Sequence, residues 1–124
     1  MSEEPIPGDV RDFILDNINS VAQLEALLLL RREGGSAWRV PEVARRLYVP
    51  EAVATDVLDA LCTGGLLSRD GEVYRYAPGT EETRMAVDRL ADAYSRYLIP
   101  VTNLIHNNPS RLRRFADAFR FRRD

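Results

Sequence analysis

The chain has 124 residues, of which 45% are hydrophobic and 29% are charged, so it is long enough for one soluble domain with its own core. A formal net charge of −2 excludes a molecule that is basic all over and binds nucleic acid by charge alone. The single cysteine, Cys62, excludes an intramolecular disulfide, and the lack of a secretion signal or a long apolar run predicts a cytoplasmic protein without a membrane partner.

The first third of the chain predicts a flexible arm and two helices. Residues 1–8 carry two prolines and two glutamates and are expected to be flexible. From Asp9 onward, apolar residues at helical spacing predict a short amphipathic helix. Ser20 and Gln23 fit a capping box at the start of a second helix, residues 21 to about 33, which a Gly-Gly pair ends. Because this second helix is apolar on nearly every side, other elements are expected to pack around it.

The middle of the chain predicts two short helices joined by a brief turn. A β-like stretch at residues 37–40 leads to a helix at residues 41–47, because proline is favoured at the first position of a helix. After a turn at residues 48–50, a further helix continues to a second Gly-Gly pair. Its predicted apolar face consists of Val53, Val57, Leu58 and Leu61, and its predicted exposed positions are Glu51, Ala54, Thr55, Asp56 and Asp59.

The strongest local signal follows, where two β-prone runs flank Asp70 and Gly71. An Asp-Gly pair in this position favours a two-residue turn of type I′, because both turn residues need positive φ. Val73 alternates with Tyr74 and Tyr76, so one face of the hairpin is expected to be apolar and aromatic.

The C-terminal part predicts a long helix from residue 81 to residue 99 or beyond, with Thr80 as its N-cap. Pro100 removes a backbone donor, so a kink or break is expected there. Apolar residues at alternating spacings of three and four predict a helix–helix interface, formed either with a second copy in a homodimer or with residues 21–30 of the same subunit. The residues predicted for the homodimer interface are Val87, Leu90, Tyr94, Tyr97, Leu98 and Val101.

The last segment, residues 111–123, holds six arginines with three phenylalanines among them. One interpretation is a patch for nucleic acid or an acidic partner, since arginine and aromatic faces combine in such patches. In the other, the phenylalanines pack on the core or a second subunit, and the arginines complement the end of a helix.

The order of helix, short strand, helix, turn, helix and hairpin at residues 20–78 resembles a winged helix-turn-helix domain. The segment LCTGGLLSR at residues 61–69 is similar to the passage by which MarR-like bacterial regulators leave the recognition helix and enter the wing. The added C-terminal helix resembles the dimerising helices of the MarR-like and PadR-like groups. The predicted fold is therefore mainly α with a small β-hairpin wing and extra N- and C-terminal helices. It comprises an arm (1–8), a winged-helix core with its preceding helix (9–79) and a helical extension for dimerisation (80–124).

The resemblance implies a small bacterial transcription regulator that binds double-stranded DNA, with the second helix of the pair in the major groove. The predicted DNA contacts are Arg39, Arg45, Arg46, Thr55, Arg69 and Arg75. For Arg39, Arg45 and Arg46, the alternative is a solvated helix face without a ligand. For Arg69 and Arg75, ion pairs with Asp70 and Glu72 are the alternative.

Charge opposes this interpretation, because residues 31–49 carry a net charge of +3 whereas the presumed reading unit, residues 50–72, carries −4. MarR-like proteins commonly have arginine or lysine where this chain has Asp56 and Ala60. Carboxylates that point toward DNA phosphates act against binding.

A protein-interaction module that does not bind DNA is therefore the alternative function. In it, Glu51, Asp56 and Asp59 dock a basic partner. No enzyme, metal site or cofactor is predicted, because Cys62 and His106 are the only residues of their types and form no ligand or catalytic set.

Overall fold

The computed structural model describes residues 6–107, which form six helices and one two-stranded antiparallel sheet. In chain order the elements are α1 (Gly8–Asn17), α2 (Val21–Arg32), α3 (Val40–Leu47), α4 (Glu51–Thr63), β1 (Leu67–Asp70), β2 (Val73–Tyr76), α5 (Glu81–Arg96) and α6 (Leu98–His106). The predicted fold class, a helical winged-helix domain with flanking helices and a hairpin wing, is confirmed. The arginine-rich segment at residues 111–123 lies outside the described residues.

The corner between α1 and α2 is held by Gln23, which is almost completely buried. Its backbone N–H donates to the Ser20 hydroxyl at 3.1 Å, as the predicted capping box requires. Its side-chain oxygen accepts from the Asn19 N–H at 2.9 Å, one residue earlier than in a standard capping box. Its side-chain nitrogen donates to the Asn17 carbonyl at 3.0 Å. One amide therefore satisfies polar backbone groups at the end of α1 and the start of α2, where the two helices bend by 108°.

Helix α2 lies at the centre of the molecule, as its apolar sequence predicts. It contacts α3, α4, β2 and α6. Its buried apolar residues are Leu24, Ala26, Leu27, Leu28, Leu29 and Leu30. Burial on all sides explains why this helix has no clear polar face.

Three residues of the predicted flexible arm, residues 6–8, are folded. Ile6 is buried in the core with 5% of its surface exposed, and α1 already begins at Gly8. Pro7 is the N-cap residue, and its carbonyl accepts from the Arg11 N–H at 2.9 Å. Residues 6–8 are thus part of the folded domain.

The hairpin forms as predicted, but its turn differs from the predicted type. Asp70 pairs with Val73, so the two turn residues are Gly71 and Glu72 rather than Asp70 and Gly71. Gly71 has a φ of 64°, and Glu72 does not have positive φ. Positive φ at the first turn position alone is the requirement of a type II′ turn, which places glycine there.

The predicted β-like stretch at residues 37–40 is reduced to one bridge. The backbone groups of Trp38 and Tyr74 exchange hydrogen bonds of 2.9 and 2.8 Å. The bridge fastens the start of the helix pair to the wing.

The face of α4 that packs on the core is rotated relative to the predicted one. Ala54 is completely buried, whereas Val53 is 37% exposed. Val57, Leu58 and Leu61 are buried as predicted. Since the buried set repeats at spacings of three and four from Ala54, the small alanine takes the position that the sequence pattern assigned to the larger valine.

The long C-terminal helix is broken, as the proline predicts, and the break lies at Tyr97 with φ −131° and ψ 56°. A proline at position 100 cannot donate to the carbonyl of Arg96, and its ring crowds that carbonyl. The chain therefore leaves the helix three residues before the proline and restarts it as α6.

The residues predicted for a homodimer interface do not share one surface. Val87, Leu90 and Val101 are completely buried within the single chain, where α5 and α6 both pack on α1. These three residues therefore belong to the core of one subunit, in line with the alternative of packing within the same subunit. The helix that α5 and α6 mainly contact is α1, however, and not α2. Tyr94 is half-buried and its hydroxyl donates to Glu25 of α2 at 2.6 Å. Leu98 is 51% exposed.

Within residues 6–107 no single helix has the length and apolar character of a membrane span; only the bent pair of α1 and α2 reaches that composition when the two are taken together.

Candidate nucleic-acid interface

Helices α3 and α4 form the helix-turn-helix pair, and local chemistry fixes both ends of α3. At its start, the Arg39 N–H donates to the Glu42 carboxylate at 3.0 Å. At its end, Tyr48 adopts the left-handed conformation with φ 58°, and the N–H groups of Tyr48 and Val49 both donate to the Ala44 carbonyl. Pro50, with φ −63°, then leads into α4. The turn is thus held by the backbone rather than by packing of the Tyr48 ring, which is 94% exposed.

Asp59 of α4 connects this helix to the wing. Its Oδ1 accepts from the Tyr74 hydroxyl at 2.6 Å and from Arg69 Nη1 at 3.1 Å. The Arg69 guanidinium also lies over the Tyr74 ring, 5.3 Å from its centroid, and its Nε donates to the Gly71 carbonyl at 2.8 Å. Because Arg69 and Tyr74 are paired in the hairpin register, both side chains leave the same face of the wing and meet Asp59.

This arrangement changes the roles predicted for two residues. Asp59 was predicted to dock a basic partner and Arg69 to contact DNA, with Asp70 or Glu72 as its alternative ion-pair partner. In the structure these two residues neutralise each other, and Asp59 also fills the hydrogen-bonding need of a buried phenol.

A second ion pair ties the wing tip to the start of α3. Arg39 Nη1 lies 3.2 Å from Glu72 Oε1, with both side chains mostly exposed. An exposed pair of this kind adds little to stability. The pair instead affects local charge, because Arg39 offsets the negative charge of Glu72 at the tip of the wing.

Three of the six residues predicted for DNA binding line one open cleft of about 370 Å³ between α3, α4 and the wing. They are Arg39, Thr55 and Arg69. The same cleft is lined by Glu51 and Glu72. The sequence prediction therefore brought together residues that are neighbours in space, but it did not foresee that acids share their cleft.

The other three predicted residues lie elsewhere. Arg45 and Arg46 are exposed on α3, beside a shallow depression that Trp38 and Ser36 also line. The Arg46 guanidinium covers the Trp38 ring at 5.3 Å from its centroid. Arg75 is paired with Ser68 and points to the opposite, solvent-facing side of the hairpin from Tyr74.

The titration of groups near Asp59 follows from burial and from the carboxylate. Burial, together with the hydrogen bond to Asp59, raises the pKa of Tyr74 to about 12. Burial and, second, the charge of Asp59 raise the pKa of the Cys62 thiol. A raised pKa keeps this thiol protonated at neutral pH and thus poorly nucleophilic. Among residues 6–107 no three His, Cys, Asp or Glu side chains are grouped to hold a metal ion.

Sequence reasoning missed Tyr48 as a surface feature of the helix pair. The available signal was its position at the end of a helix, where the left-handed conformation is common. For a residue other than glycine the left-handed conformation costs about 1 kcal/mol.

Replacing Tyr74 by phenylalanine tests the contact with Asp59 through pH. The folded-state pKa of about 12 lies above that of an unfolded tyrosine, so the parent chain is fully stabilised below pH 10 and loses stability as the pH rises from 10 to 12. At pH 8 we expect the free energy of unfolding of Tyr74→Phe to be about 1 kcal/mol below that of the parent, because the hydrogen bond to Asp59 is missing. As the pH rises from 10 to 12, the free energy of unfolding should fall on the order of 2 kcal/mol less in Tyr74→Phe than in the parent. Urea unfolding at pH 8 and across this window measures both differences. Tyr97→Phe is the control, and equal pH dependence in both variants would contradict the assignment.

Comparison with known proteins shows what this architecture is similar to. No family model and no curated protein sequence matches the chain. A MarR family protein from Bacillus stearothermophilus is 23% identical, with a TM-score of 0.50 over 90% of this chain and 77% of that one. BpsR of Bordetella bronchiseptica, whose DNA binding is regulated by 6-hydroxynicotinic acid, is 19% identical, with a TM-score of 0.51 over 94% of this chain and 83% of its own. At these identities the likeness establishes the fold: the chain is a winged helix-turn-helix protein that resembles MarR family proteins.

Proposed function

We propose that this chain is a transcription regulator that binds double-stranded DNA. Helix α3 crosses the sugar–phosphate backbone and α4 is the reading helix, as in other helix-turn-helix proteins. The observation that carries the proposal is the position of Arg45 and Arg46. Both are exposed on α3, and neither has a carboxylate partner among residues 6–107. BpsR, which has a similar fold, is a DNA-binding protein.

Ion pairs leave the summed charge of this surface unchanged, but they determine which carboxylates stay unpaired. Of the five acids in residues 50–72, Asp59 is paired with Arg69, and Glu72 with Arg39. The remaining carboxylates of α4 are Glu51 and Asp56, both exposed. A carboxylate on a reading helix can accept from the exocyclic amine of cytosine when cations hold the protein on the backbone. Site selection then rests on Glu51 and Asp56, while the arginines supply affinity.

We also propose that the regulator is a homodimer, since helix-turn-helix dimers bind two half-sites on one face of the duplex. Leu98 and Ile99, the first two residues of α6, are 51% and 63% exposed. Two adjacent apolar side chains at the start of a helix are suited to contact with a second copy.

The arginine pair is tested by DNA binding across a salt series. We expect Arg45→Ala/Arg46→Ala to reduce the slope of log K against log salt by about 2, because each lost phosphate contact removes close to one released counterion. Arg84→Ala/Arg96→Ala removes the same charge from α5 and should leave the slope unchanged. A parent chain that does not bind duplex DNA at low salt would refute the proposed function.

The homodimer is tested by sedimentation equilibrium of two variants. Ile99→Asp should weaken self-association about tenfold or more without lowering the melting temperature of the monomer, because the side chain is on the surface. Leu90→Ala should instead lower the free energy of unfolding by about 2–5 kcal/mol, because it opens a cavity in the core. Identical sedimentation of Ile99→Asp and the parent would count against this interface.

A second function, docking of a basic protein, is favoured by the same exposed carboxylates. Glu51 and Asp56 form no ion pair with any residue in the range 6–107, whereas Asp59 is already occupied. As a docking surface the acidic face is thus reduced from three residues to two.

Neutralising Glu51 and Asp56 distinguishes DNA binding from the docking of a basic protein. In a DNA-binding protein, Glu51→Gln/Asp56→Gln should bind random duplex DNA several-fold more tightly, because two repulsive charges are gone. In a docking module, it should lose most of its affinity for an arginine–glycine repeat peptide. Fluorescence polarisation with both probes measures this, and Asp12→Asn/Glu82→Gln provides the control with the same change of net charge.

A further inference from the structure

Tyr48 is the most exposed large hydrophobic side chain in the described part of the chain, at 94%. It is also the only residue other than glycine there with a positive φ, 58°. The chain therefore accepts an unfavourable backbone conformation at a residue whose ring contributes nothing to its core. Glycine or asparagine would end the helix at lower cost.

The position of this ring is fixed although its surroundings are open. The N–H groups of Tyr48 and Val49 donate to the Ala44 carbonyl, and Ala44 and Ala54 are buried beneath the turn. Pro50 restricts the chain on the other side. The side chain thus projects from a rigid corner, so a partner that meets it does not have to order a flexible loop.

The corner lies where a bound duplex would pass. It joins the end of α3, which carries Arg45 and Arg46, to the start of α4, the end of a reading helix that contacts bases. Its neighbours Leu47 and Val49 are partly buried against the core, and the nearest charged residues in the chain, Arg46 and Glu51, are exposed. On the helix pair the one other exposed large hydrophobic side chain is Val53, at 37%, so the ring does not belong to the wide apolar patch that an apolar protein interface needs. Such a ring is suited to contact with the DNA backbone, in which charged phosphates alternate with sugars that have apolar faces.

We propose that Tyr48 contacts the DNA backbone at the edge of the groove, with its ring against a deoxyribose and its hydroxyl donating to the adjacent phosphate. The inference rests on the proposed DNA binding and adds an anchoring residue to it. The contact reads no base, because deoxyribose and phosphate are the same at every position. It also releases few counterions, because the phenol is neutral.

Substitutions at position 48 test this contact without endangering the fold. Tyr48→Gly and Tyr48→Asn both tolerate the left-handed conformation, so their melting temperatures should equal or exceed that of the parent. Both should bind duplex DNA about tenfold more weakly, whatever its sequence, with an unchanged salt slope. Tyr48→Phe keeps the ring and should lose only about threefold. Met85→Asn, at an exposed apolar position of α5 away from the proposed DNA and dimer contacts, is the control.

The outcomes distinguish failure of this contact from failure of the proposed function. If the parent binds DNA and Tyr48→Gly binds it equally well, the Tyr48 contact is refuted while DNA binding stands. If the parent binds no DNA at low salt, both are refuted. If Tyr48→Gly loses affinity for the arginine–glycine repeat peptide but not for DNA, Tyr48 belongs to a protein-binding surface and the backbone contact is refuted.

Discussion

The structure depends on Tyr74, which joins three parts of the molecule at one point. Its backbone forms hydrogen bonds with Trp38, before the helix pair; only 1% of the residue's surface is exposed; and its hydroxyl donates to Asp59 on α4. A two-stranded hairpin is marginally stable by itself. This residue therefore ties the wing both to the segment before α3 and to α4.

The same contact affects the charge of the surface formed by α4 and the wing. A count of side chains makes residues 50–72 strongly acidic, but a count does not show which charges are already paired. Asp59 is shared between a phenol and a guanidinium, and Glu72 lies beside Arg39. Three acids of residues 50–72 remain without an ion pair in the described chain, Glu51 and Asp56 on α4 and Asp70 on the wing, whereas α3 carries Arg45 and Arg46 without one.

Much of the fold could be predicted because local chemistry determined it. The Ser20–Gln23 cap, the apolar α2, the hairpin and the break before Pro100 each follow from a few neighbouring residues. What could not be predicted depends on distant neighbours. Whether Val53 or Ala54 faces the core is decided by the space available beside α2 and α3, and the burial of Leu90 by the docking of α1. The partner of Arg69 lies ten residues away on another element, so no local pattern reveals it.

The double use of Asp59 limits how this surface can change in evolution. A mutation to arginine at position 59 would add a positive charge to α4, yet it would also leave the Tyr74 hydroxyl without its acceptor and place two guanidinium groups together. The side chains at positions 51 and 56 form no ion pair within the described chain. A lineage that gained or lost affinity for an anionic partner could therefore do so by single substitutions at those two sites, while position 59 stays fixed by the architecture of the wing.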